Sequence, residues 1–375
     1  MQLDDHRLVS EFDLVARVLA ERLQRPGASD GLHAALVFNL SAGWEDVAAR
    51  ATGEFVLPAF AAAVRDLGLL GSLEPELRAF LAMAHAANVK RNGGLRGQLV
   101  AVVGALNRAG VEPVLLKGAI RLVDGLYPDP GWRMMRDLDL LVPGDRLGDA
   151  VAAMGGAGYA PGPPTPGEAP GFGHHHYPKL TRADHRATVE VHTELFKTER
   201  QRRLLRAADV SGASQPMAFD GVRARLPSVD HQVVHLVGHS QISNHGHYCG
   251  RVQLRDRLEA AALERWSPER PGWADVAGRF AAAGYRHHLA SFLLSLDDAG
   301  FARVPAGVGT LAAGLHRRRL ALQARSATMM RIGARLGWYA AVAREAVLDP
   351  GARRRFAHTS FGALASKFQR GPASR

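Results

Sequence analysis

Apolar and polar positions divide the 375-residue chain into a helical start, a mixed middle and a helical end. Over residues 1–108 the apolar positions recur at helical spacing. This spacing predicts helices over Leu8–Leu23, Trp44–Ala51, Glu54–Leu67 and Glu74–Ala109. We expect a kink or a break in the last helix at Asn92-Gly93-Gly94, because glycine weakens a helix interior.

The middle of the chain, residues 111–195, carries short apolar runs separated by turn residues. Two prolines and a glycine in Tyr127–Gly131 cannot continue a helix and predict a loop. Asp145 is expected to cap a helix that ends near Gly155 or Gly158, and Pro161–Pro170 is expected to be a loop. The predicted strands are Val114–Leu116, Leu138–Val142, His175–Leu180 and Arg186–Val191, with a short helix over Ala119–Leu126 and a turn at Ala183-Asp184.

Residues 200–300 return to a helical pattern, in which Ser228 is expected to cap a helix over Val229–Ser243. A further basic helix is predicted over Leu311–Val347, followed by an arginine cluster at 353–355. We divide the chain into a helical N-terminal region (1–95), a core (96–200), a helical C-terminal domain (201–305) and a basic tail (306–375).

Two aspartates, Asp137 and Asp139, begin the second predicted strand, although aspartate is a poor strand former. Side chains two apart lie on the same strand face, so these carboxylates would project together and repel each other. A cation between them removes this repulsion, and Mg²⁺ binds through one or two carboxylates plus substrate phosphates. The alternative is a solvated strand end flanked by Arg133 and Arg136.

The order of an apolar strand, a Lys117-Gly118 turn, a short helix, a proline loop and Arg-Asp-Leu-Asp-Leu-Leu-Val resembles the polymerase-beta-like nucleotidyltransferases. It is most similar to a bacterial branch, the uncharacterised nucleotidyltransferases, in which Leu-Leu-Lys-Gly replaces the usual Gly-Ser. The resemblance extends over residues 88–296 and includes Val189-Glu190-Val191-His192. It implies an α+β fold, with a small mixed sheet flanked by helices and helical N- and C-terminal regions.

The resemblance implies that Asp137, Asp139 and a third carboxylate, Glu190, hold two Mg²⁺ or Mn²⁺ ions and carry catalysis. Glu190 and His192 share a strand face, so His192 is a candidate on the acceptor side.

Nucleotide-binding candidates lie on both sides of the proline loop. Gly118 would let the backbone approach a triphosphate. Lys117, Arg133 and Arg136 would neutralise phosphates or, alternatively, pair with the aspartates.

The predicted function is metal-dependent transfer of NMP from an NTP to an unidentified hydroxyl of a small molecule, peptide or protein. The missing Gly-Ser leaves open a catalytically weak module that binds nucleotide or a protein partner.

Net charge changes the expected partners only at the C-terminus. Residues 301–375 contain 14 Lys and Arg against Glu345 and Asp349, which leaves 33 basic and 34 acidic groups in residues 1–300. The tail could therefore contact nucleic acid or an anionic surface. The single cysteine, Cys249, and the absence of a long apolar run or signal pattern predict a cytoplasmic protein without a transmembrane segment.

Histidines form two further patterns. His231, His235 and His239 fall on one stripe of the predicted helix, either as packed or substrate-facing groups or as zinc ligands. The run His174–His176 is either an exposed loop or part of a metal site. Arg91-Asn92 is expected to act as a helix cap.

Overall fold

The computed structural model describes residues 10–162, 176–305, 307–323 and 326–348. The fold is α+β, with one seven-stranded mixed sheet surrounded by helices. Its strands are β1 (Val114–Leu116), β2 (Asp137–Leu141), β3 (Ala160–Pro161), β4 (Leu180–Thr181), β5 (Thr188–His192), β6 (Gln215–Phe219) and β7 (Val222–Leu226).

Fourteen α-helices occur in these described ranges. They are α1 (Glu11–Gln24), α2 (Asp30–Gly53), α3 (Leu57–Asp66), α4 (Pro75–Arg108), α5 (Leu147–Gly156), α6 (Glu199–Arg202), α7 (Ala207–Ala213), α8 (Val229–Val237), α9 (Gly246–Cys249), α10 (Leu254–Trp266), α11 (Trp273–Ala282), α12 (Arg286–Asp298), α13 (Leu311–Gln323) and α14 (Ala327–Leu348). Short 3₁₀-helices lie at Leu70–Ser72, Lys117–Leu122 and Gly144–Arg146, and a π-helix at Gly238–Ser243.

The strand order is β3-β4-β5-β2-β1-β7-β6. The central strand β2 pairs in parallel with β5 and antiparallel with β1, and β1 pairs in parallel with β7. Leu138 and Leu140 of β2 are fully buried in the apolar cluster that the sheet forms with α4 and α5. Because side chains alternate, Asp139 and Leu141 point to the opposite face, where a second cluster joins the sheet to the helical body.

The predicted N-terminal helices are present with altered bounds. α2 begins at Asp30, where Ser29 caps its first turn, and its backbone is non-helical at Gly43, so its second part begins at the predicted Trp44. α4 is a single helix of 34 residues, so the interruption expected at Asn92-Gly93-Gly94 is wrong. Its buried face contacts the sheet and the loop before β2, and this packing outweighs the low helix propensity of the two glycines.

The sheet contains one hairpin that the sequence pattern did not reveal. β6 and β7 lie within residues that were predicted to be helical, and they extend the sheet beyond β1. Asp145 is also not the cap of α5, because a 3₁₀ turn precedes that helix and Arg146 occupies the cap position. Ser228 does cap α8 as predicted, since its side chain accepts a hydrogen bond from the His231 N–H.

The strand predicted from His175 is reduced to β4 and a single bridge between His176 and His192, while His174, His175 and most of the Pro161–Pro170 loop lie outside the described residues. The predicted tail helix is two helices, α13 and α14, and the arginine cluster at 353–355 lies outside the described ranges.

In the part of the chain that the structure describes, no single helix is long and apolar enough to cross a membrane. One bent pair, residues 43–53 with Leu57–Asp66, reaches that length and composition only when taken together.

Candidate active site

The parallel register of β2 and β5 brings three ligand-type side chains together. Asp139 lies beside Glu190, and Leu141 lies beside His192. His192 Nε2 is 2.8 Å from Asp139 Oδ1 and 3.6 Å from Glu190 Oε2. One ligand atom from each of Asp139, Glu190 and His192 falls within 4.8 Å of the other two, and all three residues are buried. We call these three residues the triad; its geometry is suited to a metal ion.

Two lysines neutralise the carboxylates of the triad. Lys117 Nζ is 2.6 Å from Asp139 Oδ1, because Lys117 directly follows β1 and Leu116 pairs with Asp139. Lys179 directly precedes β4, the neighbour of β5 in the sheet, and its Nζ forms an ion pair with Glu190 Oε1. The side chains of Lys117 and Lys179 are 25% and 44% exposed, so the ammonium groups lie between solvent and the buried carboxylates.

These contacts determine how Asp139 ionises. Burial alone would raise the pKa of its carboxyl, but the Lys117 ammonium and the His192 hydrogen bond together hold that pKa well below its usual range. Burial would lower the pKa of Lys117, yet Asp139 and Glu190 raise it overall. Asp139 is therefore an anion and Lys117 a cation at neutral pH, and the carboxylate is available to a metal ion that displaces the amine.

Asp137 stands apart from the triad. It begins β2 opposite Thr188 and is only partly buried. Burial and the neighbouring Asp139 carboxylate both raise the pKa of Asp137. The two aspartates are close enough to interact electrostatically, as predicted, but Asp137 is not one of the three residues whose ligand atoms converge.

The loop before β2 is held by two asparagines of α4. Asn88 Nδ2 donates a hydrogen bond of 2.7 Å to the Gly131 carbonyl, and Asn92 Nδ2 donates one of 2.7 Å to the Arg133 carbonyl. Asn92 also donates to the Pro130 carbonyl. Asn92 is therefore an anchor in the middle of a helix, and its predicted role as a cap is wrong. The two residues are four apart, so they lie on the same face of α4.

Arg133 forms a buried ion pair with Glu259 of α10. Its Nε is 2.7 Å from Glu259 Oε2, and Arg121 Nε is 3.1 Å from Glu259 Oε1. All three side chains are at least nine-tenths buried. In this structure Arg133 therefore stabilises the contact between the loop and α10, while its predicted role in nucleotide binding stays a prediction.

Arg136, in contrast, is exposed, and its guanidinium stacks on the Phe55 ring at 4.9 Å from the centroid. Arg255 stacks on the same ring at 5.3 Å. A planar cation held on an aromatic face one residue before Asp137 is well suited to bind a phosphate.

The Lys117-Gly118 turn has an unusual backbone. Lys117 adopts the left-handed region with φ of 49°, although it carries a side chain. Such a conformation persists only where the surroundings hold it, here by the ion pair with Asp139. A Cβ at Gly118 would lie 3.2 Å from Met135 Cβ, so close packing explains this glycine. Its predicted contact with the triphosphate stays a prediction.

The histidine stripe of α8 faces the same region. His235 is 5% exposed, and burial followed by the Lys117 charge lowers its pKa to about 3. The pKa of His239 is also lowered by burial and by Lys117. The helix continues beyond His235 as the π-helix at Gly238–Ser243, a distortion often found at functional sites. Both imidazoles are neutral and interact electrostatically with Lys117, while His231 lies one turn further away on the same stripe.

Sequence reasoning did not identify Lys179, Asn88, Glu259 or the ring of Phe55 as parts of this region. A signal existed for Lys179, because a hairpin with its turn at Ala183-Asp184 places Lys179 nearly opposite Glu190. The spacing of Asn88 and Asn92 on one helix face was a second signal. No sequence signal pointed to Glu259, since its partner Arg133 is 126 residues away in the chain.

The model of a protein family described as uncharacterised nucleotidyltransferase matches residues 41–298. The chain belongs to this family. The match covers more than half of the protein and includes β1, β2, β5 and both anchoring asparagines. No curated protein and no solved structure matches the chain.

Membership of the uncharacterised nucleotidyltransferase family identifies the protein as a transferase and implies an NTP as its substrate. The triad lies inside the matched region and provides a possible metal site for this activity.

Proposed function

We propose that the protein transfers NMP from an NTP to a hydroxyl group of an acceptor, with divalent metal ions held by Asp139, Glu190 and Asp137. The observation that carries this proposal is the convergence of Asp139, Glu190 and His192 in a buried cluster beside two lysines. A purely structural strand pair has no need for three buried ionisable groups, because each costs desolvation energy.

In the proposed reaction the acceptor oxygen attacks the α-phosphorus, the bond to the bridging oxygen breaks, and pyrophosphate leaves. The hydroxyl proton passes to Glu190, a buried carboxylate in the middle of β5. Bound divalent ions would stabilise the charge on the attacking and leaving oxygens.

The residues around the triad have separate tasks in this proposal. Lys117 and Arg136 neutralise the triphosphate, with Arg136 held in place by the Phe55 ring. Asn88 and Asn92 keep the loop before β2 in position, so that Asp137 and Asp139 have a defined orientation. His235 and His239, neutral and close to Lys117, limit the water around the phosphates.

The second candidate function is a catalytically weak nucleotide-binding module. The observation in its favour is that Lys117 and Lys179 already pair with Asp139 and Glu190. If those ion pairs persist in the nucleotide complex, the carboxylates cannot bind metal. The two candidates therefore differ in whether metal ions replace the lysines.

The test is incubation of the protein with each α-³²P-labelled NTP and Mg²⁺ or Mn²⁺, with pyrophosphate release and label transfer as readouts. For Glu190→Gln we expect NTP affinity within a few-fold of wild type and a loss of transfer by orders of magnitude. The control is Asp184→Asn, an exposed carboxylate in the β4–β5 turn, which should leave transfer unchanged. Absence of turnover in wild type with nucleotide still bound would support the binding module.

A further inference from the structure

The donor set of the triad differs from the all-oxygen set that suits Mg²⁺. It contains two carboxylates and one imidazole nitrogen, and Asp137, the remaining carboxylate of β2, does not converge with them. Mg²⁺ prefers six oxygen ligands in near-octahedral geometry, whereas imidazole nitrogen favours first-row transition ions. The presence of nitrogen thus bears on which ion the site selects.

The position of His192 is that of a ligand. Its Nε2 faces both carboxylates, at 2.8 Å from Asp139 and 3.6 Å from Glu190. Two ligands at right angles around an ion ~2.1 Å away lie about 3 Å apart. The spacing between His192 and Asp139 is close to this value and that between His192 and Glu190 is longer, so side-chain movements must bring the three ligand atoms around an ion. His192 is 1% exposed, which restricts the directions its ring can take.

The lysines affect all divalent ions in the same way. Lys117 and Lys179 must leave Asp139 and Glu190 before either carboxylate binds a metal ion. This cost is the same for Mg²⁺ and Mn²⁺, because both carry two positive charges. It lowers both affinities and leaves their ratio unchanged, so a change of this ratio on replacement of His192 reports the nitrogen donor.

We propose that His192 Nε2 is a direct metal ligand and that the triad selects a divalent first-row transition ion over Mg²⁺. This inference rests on the metal site of the proposed function but concerns the resting protein without nucleotide. Asp139 and Glu190 supply oxygen, His192 supplies the lone pair of Nε2 once the imidazole carries its proton on Nδ1 instead, and water completes the coordination.

The experiment measures binding to the metal-free full-length protein in the absence of nucleotide, with Mn²⁺ as the probe. Free Mn²⁺ is counted by electron paramagnetic resonance, Mg²⁺ affinity is obtained by competition, and electron spin-echo modulation detects coupling of bound Mn²⁺ to ¹⁴N. Wild type should bind Mn²⁺ about tenfold more tightly than Mg²⁺ and show nitrogen coupling.

Two substitutions separate nitrogen from oxygen donation. His192→Gln replaces nitrogen by an amide oxygen, and should lose nitrogen coupling and lower the Mn²⁺/Mg²⁺ affinity ratio about tenfold. Glu190→Gln should weaken both ions with little change in that ratio. His185→Gln is the control. His185 lies in the β4–β5 turn and hydrogen-bonds Tyr159, so its replacement should change the affinity for neither ion.

Three outcomes overturn the inference. They are no Mn²⁺ binding at millimolar concentration, no nitrogen coupling in wild type, or an equal fall of the Mn²⁺ and Mg²⁺ affinities in His192→Gln. The failures of this inference and of the proposed function are distinguishable. A protein that transfers NMP but shows no nitrogen coupling keeps its function and loses this inference. A protein that shows nitrogen coupling to Mn²⁺ but transfers no NMP keeps this inference and loses the proposed function.

Discussion

At the scale of single residues, the site combines buried anions with cations that compete for them. Asp139 accepts from both Lys117 and His192, and Glu190 pairs with Lys179. The paired aspartates alone suggest that charge repulsion dominates the metal-free protein. The structure shows instead that Lys117 and His192 stabilise the Asp139 carboxylate, which is why the pKa of Asp139 is lowered.

Lys117→Gln is expected to change metal and nucleotide affinity in opposite directions. Without the ammonium, Asp139 is free to bind metal, so the Mn²⁺ affinity of the nucleotide-free protein should rise about tenfold. NTP affinity should fall by a similar factor, because a phosphate-binding cation is lost. Titration calorimetry with each ligand separately checks both. Arg146→Gln, which removes a partly exposed cation at the N-cap of α5, is the control, and a fall in both affinities would contradict this view of Lys117.

At the scale of secondary-structure elements, α4 positions strand β2. Its asparagines hold the loop over Gly131–Arg133, and that loop leads directly into Asp137 and Asp139. Gly131 allows close packing, since a Cβ there would lie 2.4 Å from His85 Nε2 and 2.8 Å from Val89 Cγ2 of α4. The orientation of the aspartates therefore depends on a helix that contributes no side chain to the triad.

Asn92→Ala is expected to reduce both stability and transfer. The Arg133 carbonyl is buried and would keep only a long bond of 3.3 Å from Asn88, at a cost of about 1–3 kcal/mol. Loosening of the loop should lower kcat while NTP affinity changes less. Urea unfolding and steady-state kinetics are the measurements.

Asn107→Ala provides the matched control for Asn92→Ala. Asn107 belongs to the same helix but hydrogen-bonds Arg223 at the start of β7, far from the loop. It should cost stability without lowering kcat. If both variants lower kcat equally, the loss reflects general loosening of α4 rather than the position of the loop.

At the scale of the whole molecule, one buried ionic network joins parts that are distant in sequence. Glu259 of α10 pairs with Arg121 after β1 and with Arg133 before β2. The network crosses the predicted boundary between residues 96–200 and 201–305. That boundary stays a prediction, but these two parts share a buried contact and are not expected to unfold independently.

Glu259→Gln is expected to lower the free energy of unfolding by about 3 kcal/mol at pH 7, because Arg133 loses its buried partner. Burial alone would raise the pKa of Glu259, but Arg133 and Arg121 lower it from 4.5 to about 2. The folded protein thus holds fewer protons than the unfolded chain between these pH values. The stabilisation by Glu259 is fully present above pH 4.5 and is lost as the pH falls towards 2.

The difference in unfolding free energy between wild type and Glu259→Gln should therefore shrink between pH 5 and pH 3. Urea unfolding at pH 7, 5 and 3 measures it, with the exposed Glu269→Gln as control. A difference that is independent of pH would show that Glu259 acts through packing rather than through its charge.

Deletion of residues 311–375 is expected to retain nucleotide binding, since the family match ends at residue 298. It should nevertheless lower stability, because Gln201 Nε2 donates to Glu345 of α14 over 2.6 Å and Gly337 packs on the Tyr248 carbonyl. Gly337→Val in the full chain should reproduce part of the loss without removing charge, as any Cβ there would overlap that carbonyl. Thermal unfolding and NTP titration are the readouts, and a folded truncation that binds no NTP would contradict the prediction.

The sequence alone determined those features that depend on neighbours along the chain. The shared face of Asp137 and Asp139, and of Glu190 and His192, follows from the two-residue period of a strand. The cap at Ser228 and most N-terminal helices follow from local patterns, and the family resemblance supplied the fold class. The β6–β7 hairpin was missed because only Phe219 and Ala224 of its strand residues are buried, so its apolar pattern carries little periodic signal.

Only the tertiary structure decided which groups meet across the chain. Lys117 and Asp139 are 22 residues apart, Asp139 and His192 are 53 apart, and Arg121 and Glu259 are 138 apart. Their contacts depend on strand register and on the packing of α4 and α10 against the sheet. Local patterns contain no information on these distances, because a buried ion pair is defined by the fold that surrounds it.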